Sequence, residues 1–278
     1  MKRLLTLLFA TSAFAADTIR TEHDVDFLGA GRKEKADLYL PANPQPGQTF
    51  PAVVIIHGGG WSGGEKRAAR EINIGTTRAL NGYAGRSIDY VLANSEPPAP
   101  TWPQTLHDCK TAVRWLRANA ERLHIDPAHI GVIGGSAGGH LATMVGLCGG
   151  ELDPPGEGDS RVQCAVDLYG PVLCFEQRNL AMFRQTRAEA PELYKQADPR
   201  SHIDQQDPPL LILHGTADKT VPVADSEALA AAMKSAGATY QLEIIPDAPH
   251  TFHLQPKQRD LRPLVLGFFD KHLKPKAR

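Results

Sequence analysis

Four short stretches of the chain are almost continuously apolar: Ala52 to Ile56, Ile130 to Ile133, Gln163 to Tyr169 and Leu210 to Leu213. A strand with one wet face alternates apolar and polar residues, so runs of this kind fit strands covered on both faces. Between them lie segments with helical spacing. Gln104 to Ala120 sets Leu106, Cys109, Val113, Leu116 and Ala120 on one side, and Val223 to Ala236 is closed by Gly237. Buried strands alternating with helices predict a mostly parallel sheet with right-handed crossovers, flanked by helices. Gly85–Tyr90 and Tyr240–Ile245 read as further strands, and 66–81 and Leu261–Leu273 as further helices. The alternation of Val25, Phe27, Ala36, Leu38 and Leu40 predicts an antiparallel edge hairpin. Val172 to about His202 lacks a strand pattern and reads as a small cap insertion near 172–205. With 278 residues, 42% of them hydrophobic, the chain can build the core of one α/β domain over residues 16–278.

Charge narrows the partners. Thirty basic and 31 acidic residues leave a net charge of −1, with no long run of either sign. No nucleic-acid groove or polybasic membrane patch is predicted, and a small-molecule or polysaccharide-linked substrate fits better. Lys2 and Arg3 precede the apolar stretch Leu4 to Ala10, and Ala13-Phe14-Ala15 offers a small-x-small cleavage site. Residues 1–15 are therefore expected to be a signal peptide, with secretion to the periplasm or beyond and no membrane insertion. Export permits disulfides among Cys109, Cys148, Cys164 and Cys174, and Cys148–Cys164 is the pairing we expect if one forms. There is no Cys-x-x-Cys pair, and no metal site is expected.

The chemistry is most legible at Gly134-Gly135-Ser136-Ala137-Gly138-Gly139-His140. Strand, glycine-flanked turn and helix are the setting of a nucleophile elbow, which lifts a serine hydroxyl above a sheet edge. A serine hydroxyl is a poor nucleophile and needs a base held by a third group. Asp218 follows the Leu210–Leu213 run and His250 follows Tyr240–Ile245, so both fall beyond strand ends, where such groups collect. His253 rivals His250 as the base, and Asp247 is a weaker rival to Asp218. His57-Gly58-Gly59-Gly60-Trp61 is a second signal. Its flexible backbone can aim the Gly59 and Gly60 N–H groups, together with that of Ala137, at a developing oxyanion. His57 reads as a hydrogen-bonding prop for that loop and as a candidate wall of the substrate pocket. Trp61 reads either as a wall of the acyl pocket or as core. His140 reads as packing or rim.

Together these motifs resemble the α/β-hydrolase esterases of the hormone-sensitive-lipase-like and bacterial feruloyl/acetyl-xylan esterase (BD-FAE-like) groups. The resemblance spans roughly residues 25–272 and includes Asp89-Tyr90, Trp115 to Ala120, Asp126-Pro127, His214 to Asp218 and Pro249 to Phe252. It implies the α/β-hydrolase fold, serine carboxylesterase activity and no metal or organic cofactor. Many relatives carry Tyr-Arg-Leu where this chain has Tyr90-Val91-Leu92, so a structural arginine is missing. The insertion is short beside true lipase lids, which argues for short acyl groups, with acetyl or feruloyl esters of plant polysaccharide the implied class. An amidase, formamidase or peptidase on the same three residues is the enzymatic alternative, and a non-catalytic binding module is the other.

Overall fold

A computed structural model describes residues 18–94, 99–149 and 152–274. The expected signal peptide lies outside the described residues. The strands are β1 (Ile19–Val25), β2 (Ala36–Pro41), β3 (Phe50–Ile56), β4 (Ala84–Ile88), β5 (Ile125–Gly135), β6 (Cys164–Leu168), β7 (Leu210–Gly215) and β8 (Tyr240–Ile245). They form one sheet in the order β1-β2-β4-β3-β5-β6-β7-β8. Only β1–β2 and β2–β4 pair antiparallel, and every other neighbouring pair is parallel.

The period of two in a strand divides the apolar runs between two cores. From β3, Val53 and Ile55 face one side with Ile133, Val166, Leu211 and Leu213. There they meet Ile74 of α1 (Ala69–Leu80) and Val265, Phe269 and Leu273 of α8 (Arg262–Leu273). Ala52, Val54 and Ile56 face the other side with Val132, Ala165 and Ile212. That side is covered by α2 (Gln104–Ala118), α4 (Ala137–Leu147) and α7 (Val223–Ala236). All seven residues of β3 are buried, and each large aliphatic side chain so covered contributes about 1.5–3 kcal/mol.

The helix expected to run to Ala120 ends at Ala118, and a short turn, α3 (Ala120–Leu123), follows it. The insertion contains α5 (Cys174–Gln177), α6 (Pro191–Ala197) and two 3₁₀ turns, Ala181–Phe183 and Pro199–Ser201, and no strand. The cysteine expectation is corrected. All four thiols are free, and Cys148 and Cys164 belong to opposite cores, with the sheet between them. The position where relatives have arginine is also resolved. The Val91 N–H bonds Asp108 Oδ2 at 2.9 Å, while the Arg32 guanidinium bonds the same buried carboxylate at 2.6 and 3.0 Å. Arg32 thus anchors the loop after β4 without an arginine at 91.

Candidate active site

Ser136 stands between the end of β5 and the first residue of α4, at φ +57°. A side chain at positive φ is strained, and the bond from its own N–H to the Leu168 carbonyl (2.9 Å) helps hold it there. His250 Nε2 lies 3.0 Å from Ser136 Oγ, and His250 Nδ1 lies 2.5 Å from Asp218 Oδ2. A carboxylate only accepts, so Nδ1 carries the proton and Nε2 is free to accept from the serine hydroxyl.

The Asp218 carboxylate is wholly buried and fully engaged. Its Oδ1 accepts the N–H groups of Thr220 and Val221 at 2.8 and 2.9 Å. Its Oδ2 also lies 3.3 Å from Nε2 of His214, a buried histidine that opens the His214-to-Asp218 motif and had no role assigned to it. Because His214 Nε2–H donates to the Val221 carbonyl, its Nδ1 accepts from Ser226, and burial lowers its pKa. Of the rivals, His253 lines the cavity without bonding Ser136 or Asp218. Asp247 is exposed, and its backbone N–H bonds Thr216 Oγ1.

The glycine loop lies beside the serine. Gly59 takes φ +120°, and a Cβ there would come within 2.1 Å of the Gly63 carbonyl oxygen, so only glycine makes this turn. Its carbonyl accepts the N–H groups of Ser62 and Gly63. Among the described residues, the N–H groups of Gly59 and Gly60 donate to no protein acceptor. Ala137, as the first residue of α4, has no preceding helical turn to bond. Charge fixes the loop from behind. Lys66 bonds Asp89 through its backbone N–H (2.8 Å) and its Nζ (3.0 Å), and Arg67 Nε bonds buried Asp37 at 2.6 Å.

His57 stacks on Tyr90 at 4.2 Å and bonds the Gly58 carbonyl through Nδ1 at 2.7 Å. Burial lowers its pKa to about 4, so it is a neutral prop. Of the two readings of Trp61, pocket wall or core, the structure places it in the core. It is buried, donates to His140 Nδ1 at 3.2 Å and packs against Phe175. His140 is buried too and donates its other ring N–H to the Ala197 carbonyl, tying α4 to the insertion.

A cavity of about 490 Å³ opens on Ser136 and His250. Its walls are the glycine loop, the start of α1 with Arg70 and Glu71, and the loop carrying Thr251 and His253. No lining residue comes from 172–205. Arg70 and Glu71 were missed in the sequence because they open a helix without any motif. Only the covering of the cavity by α1 reveals them.

Among the described residues, no cluster of three or more metal-ligating side chains occurs and no helix is long and apolar enough to cross a membrane. By sequence the chain is similar to the esterase LipQ of Mycobacterium tuberculosis (strain ATCC 25618 / H37Rv). The two are 32% identical over 245 residues, which cover 83% of this chain and 57% of LipQ. The chain spans about half the length of LipQ and of the related LipM and LipC. By structure it is similar to a truncated carbohydrate esterase from gut microbiota, with TM-score 0.80, 26% identity and coverage of 94% of this chain and 99% of that one. It is also similar to the butyrate-bound esterase 2 of Thermogutta terrifontis, with TM-score 0.74, 26% identity and coverage of 95% and 97%. A family model matching residues 36–233, well over half of the sequence, shows that the chain belongs to the BD-FAE family, on the α/β-hydrolase fold.

Proposed function

We propose that the protein is a secreted serine carboxylesterase acting on short-chain acyl esters. The observation that carries this reading is the unbroken hydrogen-bond relay from Ser136 through His250 to Asp218, beside N–H donors without protein partners. His250 Nε2 takes the Ser136 proton as Oγ attacks the ester carbonyl. The Gly59, Gly60 and Ala137 N–H groups meet the oxyanion, and the N-terminus of α4 adds its positive end. Collapse expels the alcohol, which takes the proton from His250, and leaves an acyl-serine. A water activated by the same histidine then releases the acid.

The size of the cavity and its polar wall at Arg70, Glu71 and His253 support a short acyl group. So do the butyrate and propionate bound to the Thermogutta terrifontis esterase. Its likeness to a carbohydrate esterase supports acetyl or feruloyl esters of plant polysaccharide as the substrate class. The apolar start of the chain supports export.

An acyl-length series of p-nitrophenyl esters tests this, with Ser136→Ala as control. Activity should peak at two to four acyl carbons, and Ser136→Ala should lose about 10⁴–10⁶-fold in kcat/KM with an unchanged melting temperature. Retained hydrolysis in that variant would exclude the acyl-serine route. A maximum at long chains would exclude the short-acyl assignment.

A further inference from the structure

His250 sits on the loop after β8, which is the edge strand of the sheet. Its bond to Asp218 fixes one ring nitrogen and so acts as a pivot, leaving rotation of the ring about that point to be restrained by something else. The restraint visible in the structure is Tyr169, the residue after β6. Its ring packs edge-on against His250 at 4.9 Å and against Phe252 at 4.6 Å. The Tyr169 hydroxyl donates to the Phe252 carbonyl (2.9 Å) and accepts from Arg70 Nη1 (2.8 Å).

Arg70 comes from the start of α1, directly behind the glycine loop, and its charge is met by Glu71 through Nε at 2.8 Å. Tyr169, Arg70 and Phe252 are all buried, so these bonds are shielded from water. The elbow makes room for the contact. A Cβ on Gly135 would stand 2.3 Å from Arg70 Nη1 and 3.1 Å from Tyr169 Oη. The residue before the nucleophile must therefore be glycine for the guanidinium to pass beneath it.

We infer that Arg70 and Tyr169 are positioning residues, a brace running from α1 beneath Ser136 to the His250 loop that holds the imidazole in line with the serine. The inference rests on Ser136 and His250 performing the hydrolysis proposed above. It assigns work to two residues outside the relay, Tyr169, which does not line the cavity, and Arg70, which also forms part of its wall.

The test compares wild type, Ser136→Ala, Tyr169→Phe, Arg70→Lys and the double variant Tyr169→Phe/Arg70→Lys. The variants that keep Ser136 are assayed for kcat and KM on p-nitrophenyl acetate per site titrated with a fluorophosphonate, Ser136→Ala is assayed per mole of folded protein, and melting temperature is measured alongside. Tyr169→Phe keeps the ring and removes both hydroxyl bonds. It should lower kcat about tenfold, with KM within about twofold of wild type, because small misplacements of a reacting group are costly. Arg70→Lys should lose less, since an ammonium can still donate to the Tyr169 hydroxyl. Added to Tyr169→Phe it should cost nothing more, because the hydroxyl it would meet is gone.

Full kcat in Tyr169→Phe, a loss confined to KM or to melting temperature, or losses that multiply independently in the double variant would each overturn the brace. Activity surviving in Ser136→Ala would overturn the esterase mechanism and the brace with it. An inert Ser136→Ala beside an unimpaired Tyr169→Phe would overturn the brace alone.

Discussion

The strand-end loops around Ser136 and the insertion at 172–205 are built on different physics. The loops hold their residues with charge and strain. Ser136, Trp61 and Tyr169 all take positive φ, Asp218 accepts three hydrogen bonds at full burial, and Lys66 and Arg67 pin the glycine loop to Asp89 and Asp37. The insertion relies more on aromatic packing, with a smaller set of directional bonds: Arg200 pairs with Asp198 and Glu176, and the Tyr194 hydroxyl accepts from the Leu180 N–H and donates to the Gln185 carbonyl. Phe183 lies on Tyr194 at 4.3 Å and Phe175 on His140 at 4.7 Å, and no helix in it exceeds seven residues. Directional bonds fix atoms within a few tenths of an ångström at a cost in desolvation and backbone energy, whereas packing fixes a surface and tolerates exchange of side chains. The first region is suited to setting reaction geometry and the second to covering the Trp61–His140 layer of the core.

The sharpest way to break this comparison is at Asp218. Asp218→Asn keeps the shape and the acceptor for Thr220 and Val221 but no longer fixes the proton on His250 Nδ1. We expect kcat to fall about 10³–10⁴-fold with little change in melting temperature. A loss of stability with activity retained would mean that the carboxylate serves the fold and not the relay.

A second test addresses the stability cost of the strand-end region. Asp167, on β6 beneath α4, is fully buried. Its Oδ1 accepts the Gly170 N–H at 2.7 Å, its Oδ2 has no partner, and burial pushes its pKa up to about 7. The folded state therefore binds more protons than the unfolded chain between about pH 4 and pH 7, and this group makes stability fall as pH rises through that window. His57 and His140, both lowered to about 4 by burial, act in the opposite sense, so only a difference between two proteins isolates the aspartate. Asp167→Asn keeps the bond to Gly170. It should gain stability over wild type on going from pH 5 to pH 8, by at most about 3 kcal/mol. Urea midpoints at the two pH values measure it, and parallel curves would show that Asp167 carries no such cost.

The same division explains what could be read from the sequence. The apolar runs, the helix closed by Gly237 and the order Ser136, Asp218, His250 are local or periodic signals, and the structure brings those three side chains together. Arg70 and Tyr169 meet across 99 positions, with no pattern joining them. Trp61 could not be assigned because wall and core demand the same aromatic surface. Only the position of α4 and the insertion decides that it packs against His140 and Phe175. The cysteine pairing failed for a related reason. Cys148 and Cys164 flank one loop in sequence, but β6 turns its first residue toward α8 while the end of α4 lies on the opposite face.

The smallest expected effect lies in the insertion. Arg184 follows the first 3₁₀ turn at φ +55° and donates to the Ala93 carbonyl, joining the insertion to the loop after β4. Ala93 in turn donates to the Trp61 carbonyl at 2.9 Å, so this contact is a path by which the insertion could reach the glycine loop. If the insertion does not govern the glycine loop, Arg184→Ala should cost about 1.5 kcal/mol of stability, the worth of one part-buried charged hydrogen bond. It should leave kcat and KM for short esters within about twofold, since no residue of 172–205 lines the cavity at Ser136. A fall in kcat at unchanged stability would mean that the insertion sets the glycine loop through Ala93 and Trp61. The two regions would then form one device, and the boundary between geometry and cover would have to be redrawn inside the insertion.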